Sequence, residues 1–164
     1  MKVITLILCL LSGIYCFGQN YTQDAGIRLG TLYGLTYRQY LDETKSIEAQ
    51  SLFGKHGLRL RIMKQYFKPA LLELSDNIYF GYGYGAHVGI SHYSNYRILT
   101  KSYILDRSKY GPSIGLDAYL GLEYNIRDYP IIISLNVIPF FEFSTNRFFY
   151  IFLDDTAISI RYKF

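Results

Sequence analysis

The 164-residue chain has no tryptophan and only two cysteines, Cys9 and Cys16, which both lie in its first 18 residues. If that segment is removed after export, the mature chain keeps no thiol. A disulfide-stapled secreted domain is then excluded, as is cysteine chemistry. A fold without disulfides must bury enough surface by itself, and about 145 remaining residues suffice for one domain or one closed barrel.

The first 18 residues predict a cleavable signal peptide. One basic residue, Lys2, precedes an apolar run that ends at Leu11, and small residues follow at Cys16 and Gly18. We expect cleavage just after residue 18, before 19 or 20, so that 1–18 is the leader and 19–164 is a single domain. An uncleaved anchor would need about 20 apolar residues, which this run does not reach. A lipoprotein cut before Cys16 is disfavoured by the bulky residues that precede it.

Runs of like charge are also lacking, and no stretch after the leader shows sustained helical periodicity. The net charge of +4 falls to +3 once Lys2 is removed (16 basic minus 13 acidic residues). Such a mild, scattered excess gives no indication of nucleic-acid binding. Aromatic residues are abundant: the chain has 18 tyrosines and 11 phenylalanines. Tyrosine suits amphipathic strands and membrane interfaces, where one end of the ring is wet.

Alternation of apolar and polar residues with a period of two predicts strands along most of the mature chain. The alternating segments are 26–41, 46–53, 58–67, 77–92, 112–126, 131–143 and 157–164. These are seven strands, and an eighth arises if 147–153 is a strand or if Gly30 to Gly34 splits the first segment. Pro139 demands a bulge or a gap in the ladder. Residues 93–110 show no period and predict a long loop.

Such alternation fits a soluble barrel, with its apolar face inward, or a membrane barrel, with its apolar face toward lipid. Segments of 14–16 residues exceed the about 9–11 that a tilted strand needs to cross a bilayer. The less apolar face combines small residues with charges of both signs, which a narrow lumen requires. Its glycines are Gly81, Gly83, Gly85, Gly89, Gly115 and Gly121. We therefore predict an all-β fold: a transmembrane, antiparallel, up-and-down β-barrel of eight strands.

The inward face of this barrel predicts a polar network in the lumen. Its predicted members are Arg28, Arg38, Glu48, Arg59, Arg61, His87, Asp117, Glu123 and Arg161. His87 is expected to bond to an acidic neighbour such as Asp117 or Glu123. Because side chains fill the interior of a narrow barrel, we expect a plug rather than a pore.

Several segments together resemble a known family: "GIRLGTLYGLTYRQYL", "YFGYGYGAHVG", "SIGLDAYLGLEYNI" and the terminal "RYKF". They are similar to segments of small Gram-negative outer-membrane barrels, in particular the OmpX/PorT-like group. The resemblance implies a location in the cell outer membrane and contact with its lipid. It also implies recognition by the barrel-assembly machinery through Ile160, Tyr162 and Phe164.

Chemistry is expected to be absent, with no catalytic, cofactor or metal site. His87 and Ser91 invite a hydrolase interpretation, but residues four apart on a strand lie about 13 Å apart, beyond hydrogen-bond reach. Asp106, Asp154 and Asp155 are interpreted as solvated loop acids rather than as a cation site. The predicted function is structural, adhesive or surface-interacting, with an unknown surface or envelope partner. A lipid A-modifying barrel enzyme and a secretion-apparatus accessory barrel are the alternatives.

Overall fold

A computed structural model describes residues 22–54, 57–70, 77–98, 101–145, 147–153 and 155–164. For 91–98, 101–110, 147, 148 and 150 the description is of the backbone alone. The predicted signal peptide lies outside the described residues. Within the described part, no helix has the length and hydropathy that a membrane crossing requires.

The described residues form ten β segments in chain order. They are β1 Gln23–Gly30, β2 Tyr33–Asp42, β3 Lys45–Gly54, β4 Gly57–Pro69, β5 Ile78–Ile98, β6 Lys101–Asn125, β7 Ile131–Val137, β8 Phe140–Ser144, β9 Arg147–Phe152 and β10 Thr156–Lys163.

The segments close into one antiparallel barrel. Each strand from β1 to β6 pairs with the next, β7 pairs with β10, and β10 returns to β1. A closed ring has no open sheet edge, which is the condition for a β-sheet to cross a membrane. The predicted closed antiparallel barrel is confirmed.

Two barrel strands are interrupted, which resolves the strand count. β7 and β8 pair with successive parts of β6 and are separated at Ile138 and Pro139, the gap that the proline predicts. β9 pairs with β8, and β10 pairs with β7, so β9 and β10 form one further interrupted strand. The first predicted segment is split at residues 31–32. The ring therefore has eight strands.

The prediction of a long loop over 93–110 is wrong. β5 and β6 continue as a hairpin whose pairing reaches Ile98 and Lys101, with one register shift between Tyr93 and Asn95. The ladder of β4 with β5 stops earlier, at Gly57 and Ser91. Beyond the closed barrel both faces of a hairpin can meet water, so pairing there needs no apolar alternation and leaves no periodic signal.

The side chains alternate across the barrel wall. In β6, Asp117 is 4% exposed while its neighbours Ile114 and Leu116 are 59% and 64% exposed. Inward glycines make room for bulky side chains from other strands. A Cβ at Gly81 would lie 2.8 Å from the Phe67 ring, and one at Gly115 would lie 2.4 Å from the His87 ring. The predicted arrangement is present: the outer face is apolar, and the inner face carries small or charged residues.

Candidate functional site in the barrel interior

The interior of the barrel is polar and its surface is apolar. Among the described residues, 20 of the buried side chains are polar or charged and nine are apolar. All nine residues of the predicted lumen network are buried, none more than 5% exposed. A soluble domain of this size buries mainly apolar side chains, so this distribution is inverted.

The end of the barrel at which β1 begins and β10 ends contains an ion-pair group, here called the termini-end cluster. It consists of Asp24, Arg38, Glu48, Glu123 and Arg161. Arg38 donates two hydrogen bonds to Glu123, at 2.9 and 2.8 Å, and one to Glu48 at 3.1 Å. Arg161 donates to Glu123 and lies 3.5 Å from Asp24 and 3.6 Å from Glu48. Two arginines therefore serve three carboxylates.

Neutral side chains add further hydrogen bonds to this cluster. The Tyr40 hydroxyl donates to Asp24 at 2.7 Å, the Tyr119 hydroxyl to Glu123 at 3.2 Å, and the Gln65 amide to Glu48 at 2.6 Å. The Arg38 guanidinium also lies 4.8 Å from the centre of the Phe67 ring. Buried ions cost several kcal/mol each unless they are paired and bonded, and these contacts offset that cost.

A second group, the hairpin-end cluster, lies further along the interior. It comprises Arg28, Arg59, Arg61, His87, Asp117, Glu142 and Asp155. Arg59 pairs with Glu142 at 2.7 Å, Arg61 with Asp117 at 2.9 Å and with Asp155 at 3.1 Å, and Arg28 with Asp155 at 2.9 Å. Gln50 joins the two clusters, because it accepts from Arg61 at 3.3 Å and donates to Glu48 at 2.9 Å.

The position of Asp155 contradicts a prediction from the sequence. It was expected to be a solvated loop acid, but it is fully buried and is shared by Arg28 and Arg61. It lies in the interruption between β9 and β10, and its carbonyl accepts from the Ile138 N–H at 3.0 Å, in the neighbouring interruption. The adjacent breaks in two strands place this loop acid inside the barrel. Asp154 and the side chain of Asp106 lie outside the description.

His87 lies within the hairpin-end cluster. Its Nδ1 is 2.9 Å from Asp117 Oδ2, which fulfils one of the two expected pairings. Glu123 is engaged elsewhere, and the second carboxylate is Glu142, whose Oε2 lies 3.2 Å from Nε2. The ring also meets the Phe140 ring edge-on, with 5.2 Å between centroids. The described residues thus bond His87 to two acids rather than to a nucleophile.

Three acids of the interior were absent from the predicted network: Asp24, Glu142 and Asp155. Glu142 alternates onto the inward face of its own predicted segment, 131–143. Asp24 and Asp155 lie two residues outside the predicted segments 26–41 and 157–164. Each nevertheless continues the alternation of its neighbouring strand, Asp24 with Arg28 and Asp155 with Arg161.

The mouth at the termini end is a cavity of about 550 Å³. Tyr40, Phe67, Tyr79 and Lys163 contribute to its lining, and Glu123 of the termini-end cluster forms part of its wall. Lys163 is only partly buried at this rim. The cavity therefore opens onto the ion-pair network.

The predicted assembly signal lies on the outer surface. Ile160, Tyr162 and Phe164 are 46%, 48% and 42% exposed, on the apolar face of β10 and at the residue after it. Aromatic side chains cluster on the same surface: Tyr66 and Tyr82 stack at 5.5 Å, and Phe143 and Phe149 lie 5.4 Å apart. Aromatic belts of this kind are typical of membrane interfaces.

One solved structure has a similar fold. The N-terminal β-barrel domain of Pseudomonas aeruginosa OprF matches with a TM-score of 0.58 and 10% sequence identity, over 89% of this chain and 100% of that chain. The fold is an outer-membrane-type barrel. No family model and no curated protein matches the sequence. The resemblance to the OmpX/PorT-like group therefore stays a prediction, and the similarity to OprF is one of fold alone.

Proposed function

We propose that this chain is a non-enzymatic protein of a Gram-negative outer membrane that carries a surface-contact hairpin on a plugged barrel. The observation that supports this proposal is the inversion of the wall. Apolar residues such as Leu35 and Ile62 are 63% and 64% exposed around a closed ring, while ionic residues fill its interior. In water that exposed apolar surface would be costly, whereas in a bilayer it meets acyl chains.

The orientation follows from the two ends of the barrel. One end carries the start of β1, the end of β10 and the connections that follow β2, β4 and β6. The opposite end carries the four hairpins β1–β2, β3–β4, β5–β6 and β8–β9, and we assign it to the cell exterior. The long β5–β6 hairpin is the reason for this assignment, because the larger extensions of such barrels usually lie outside the cell.

The β5–β6 hairpin is the proposed contact element. Its ladder continues for residues 92–98 beyond the last β4 pair, which corresponds to about 24 Å of extended strand. Residues 93–110 contain four basic residues, one aspartate and four tyrosines. Arginine and lysine bind carboxylate and phosphate groups, and tyrosine stacks on sugar rings, so the hairpin suits an acidic surface glycan.

Fractionation and gel migration test the location. A folded barrel should pellet with outer membranes and migrate differently when boiled and unboiled. Recovery of the mature protein as a monomer dissolved in periplasm or medium without detergent would refute the proposal.

Epitope insertion tests the orientation. A tag between Ile98 and Lys101 should bind antibody on intact cells, whereas the matched tag between Glu43 and Thr44 should bind only after the outer membrane is permeabilised. If only the tag between Glu43 and Thr44 were accessible on intact cells, the assignment of the two barrel ends would be reversed.

A shortened hairpin tests the contact role. In a deletion strain, a variant that joins Tyr93 to Lys109 by a short turn should remain heat-modifiable. It should fail to restore binding of cells to an immobilised acidic polysaccharide, while the full-length chain restores it. Equal restoration by both chains would show that the hairpin is not needed for binding.

The lipid A-modifying alternative predicts altered lipid A masses for H87Q and H92Q, and we expect unchanged spectra. Recovery of secretion subunits in a detergent pull-down would favour the accessory alternative.

A further inference from the structure

His87 has a carboxylate at each ring nitrogen. Nδ1 lies 3.0 and 2.9 Å from the two oxygens of Asp117, and Nε2 lies 3.2 Å from Glu142. The histidine is 1% exposed, and both acids are at most 4% exposed. Protein groups therefore occupy the hydrogen-bonding positions at both ring nitrogens.

A neutral imidazole cannot satisfy this arrangement. It donates from one nitrogen and carries a lone pair on the other, whereas an ionised carboxylate only accepts. A neutral ring would therefore direct a lone pair at one of the two acids inside the barrel, where such contacts are costly. Only the doubly protonated ring donates in both directions.

The charge count of the interior permits a positive His87 but does not locate the charge. Over the described part, five buried arginines face six buried carboxylates, so one more cation makes the two sets equal. The hairpin-end cluster by itself holds three arginines and three acids, whereas the termini-end cluster holds two arginines and three acids, with the half-buried Lys163 at its rim. The protonation of His87 therefore follows from its contacts and not from this count.

Two arginines of β4 also lie beside His87. From β4, Arg59 opposes a positive ring, but it is held by Glu142 at 2.7 Å, and Arg61 is held by Asp117 at 2.9 Å. Asp117 faces the ring from β6, and Glu142 and the edge of Phe140 face it from β8. Each acid thus lies between an arginine and the histidine.

The competing location for the balancing proton is Asp24. Its Oδ2 accepts from Tyr40 at 2.7 Å, and its Oδ1, which has no hydrogen-bond partner in the described part, lies 3.5 Å from Arg161. A proton on Asp24 could be donated to the Tyr40 hydroxyl, which accepts as well as donates. It would still leave a neutral His87 with a lone pair that faces a carboxylate, so the contacts of the histidine favour His87.

We infer that the barrel binds one structural proton at His87, which is an imidazolium at neutral pH and supplies the sixth cation of the interior. The positive ring links β5 to β6 and β8 through Asp117 and Glu142. Without that proton, one of the two carboxylates would face a ring lone pair instead of a donor.

Nitrogen NMR tests the inference on the full mature barrel in detergent micelles. With ¹⁵N-labelled histidine at pH 7.5, His87 should show two protonated ring nitrogens, assigned as the signals that H87Q removes. If H87Q does not fold, H56Q and H92Q assign His87 by elimination. An unprotonated nitrogen on His87 overturns the inference, and an infrared carboxylic-acid band that D24N abolishes would then place the proton on Asp24.

Thermal unfolding of H87Q, E142Q and the double variant supplies an independent readout through gel migration. H87Q removes the donor that faces Glu142, and E142Q removes the acceptor, so the double variant loses this one contact once rather than twice. The midpoint shift of the double variant should therefore be smaller than the sum of the two single shifts. Additive shifts would overturn the inference.

Discussion

Arg38 and Glu123, which are 85 residues apart in sequence, form two parallel hydrogen bonds of 2.9 and 2.8 Å inside the barrel. The flat guanidinium matches both carboxylate oxygens, an arrangement that lysine cannot reproduce. The pair joins β2 to β6, strands that are not neighbours in the ring. The ionic interior therefore braces the cylinder across its diameter, in addition to the ladder that closes its wall.

Removing the charge of Glu123 should destabilise the folded barrel. E123Q leaves Arg38 and Arg161 short of a carboxylate, and breaking a buried pair from one side costs about 3–5 kcal/mol. Urea unfolding in detergent should show the lower midpoint. K45Q is the control, since the Lys45–Asp42 pair is 46% and 43% exposed and its loss should leave the midpoint unchanged. Equal effects of the two variants would contradict the bracing role.

A methyl group at Gly115 should disturb the histidine. The added Cβ would lie 2.4 Å from His87 Cε1 and 2.2 Å from the Phe141 carbonyl oxygen, so the ring and the strand must shift. We expect G115A to lose about 1–3 kcal/mol of stability, as overpacked interiors do. The His87 ring resonances should move as well. A variant with wild-type stability and unmoved resonances would show that the packing at this position is looser.

A charge on the outer face should be costly only within the bilayer. Leu116 is 64% exposed in the middle of β6, and L116R should destabilise the barrel in lipid vesicles by about 2–4 kcal/mol. Tyr129 is 65% exposed but lies in the turn between β6 and β7, so Y129R serves as the matched control. If L116R is as stable as Y129R, Leu116 does not face hydrocarbon.

The turn between β2 and β3 should be sensitive to acid. A hydrogen bond from Lys45 and two from Thr44, each 2.8 or 2.9 Å, lower the pKa of Asp42 to about 2. Because the pKa is depressed on folding, the stabilisation is present above the unfolded value of about 3.9 and is lost as the pH falls toward 2. Carboxyl ¹³C titration of Asp42 should give this midpoint, and K45Q should raise it. An unchanged midpoint in K45Q would contradict the contribution of the lysine.

The purified barrel should not behave as an open pore. The two clusters and Gln50 occupy the interior with bonded side chains, so planar bilayers should show no discrete openings of porin size. E123Q loosens the termini-end cluster, so small openings should be more frequent in this variant than in the wild type. Steady, large, voltage-independent channels in the wild type would contradict the plug.

Much of this barrel was predictable because a strand has a period of two and the two sides of a barrel wall meet different solvents. The alternation around Leu116 and Asp117, for example, gives their opposite exposures directly. The hairpin of 93–98 and 101–110 was not predictable in this way, because it pairs without any period. Asp155 keeps the inward parity of Ala157 and Arg161, but it lies before the first residue of the predicted segment 157–164.

The amino-acid sequence by itself determined the inside and the outside of this protein, since alternation assigns each side chain to one face of a strand. It could not determine which ionic groups meet across the lumen, because the stagger of the eight strands and their two interruptions set those distances. Only the closed barrel brings Asp155 to Arg61, and Glu123 to Arg38, across the lumen. His87 and Glu142 meet because both lie opposite Gly115 of β6. Partners within a strand follow from local spacing, whereas partners across a cylinder depend on how the whole ring closes.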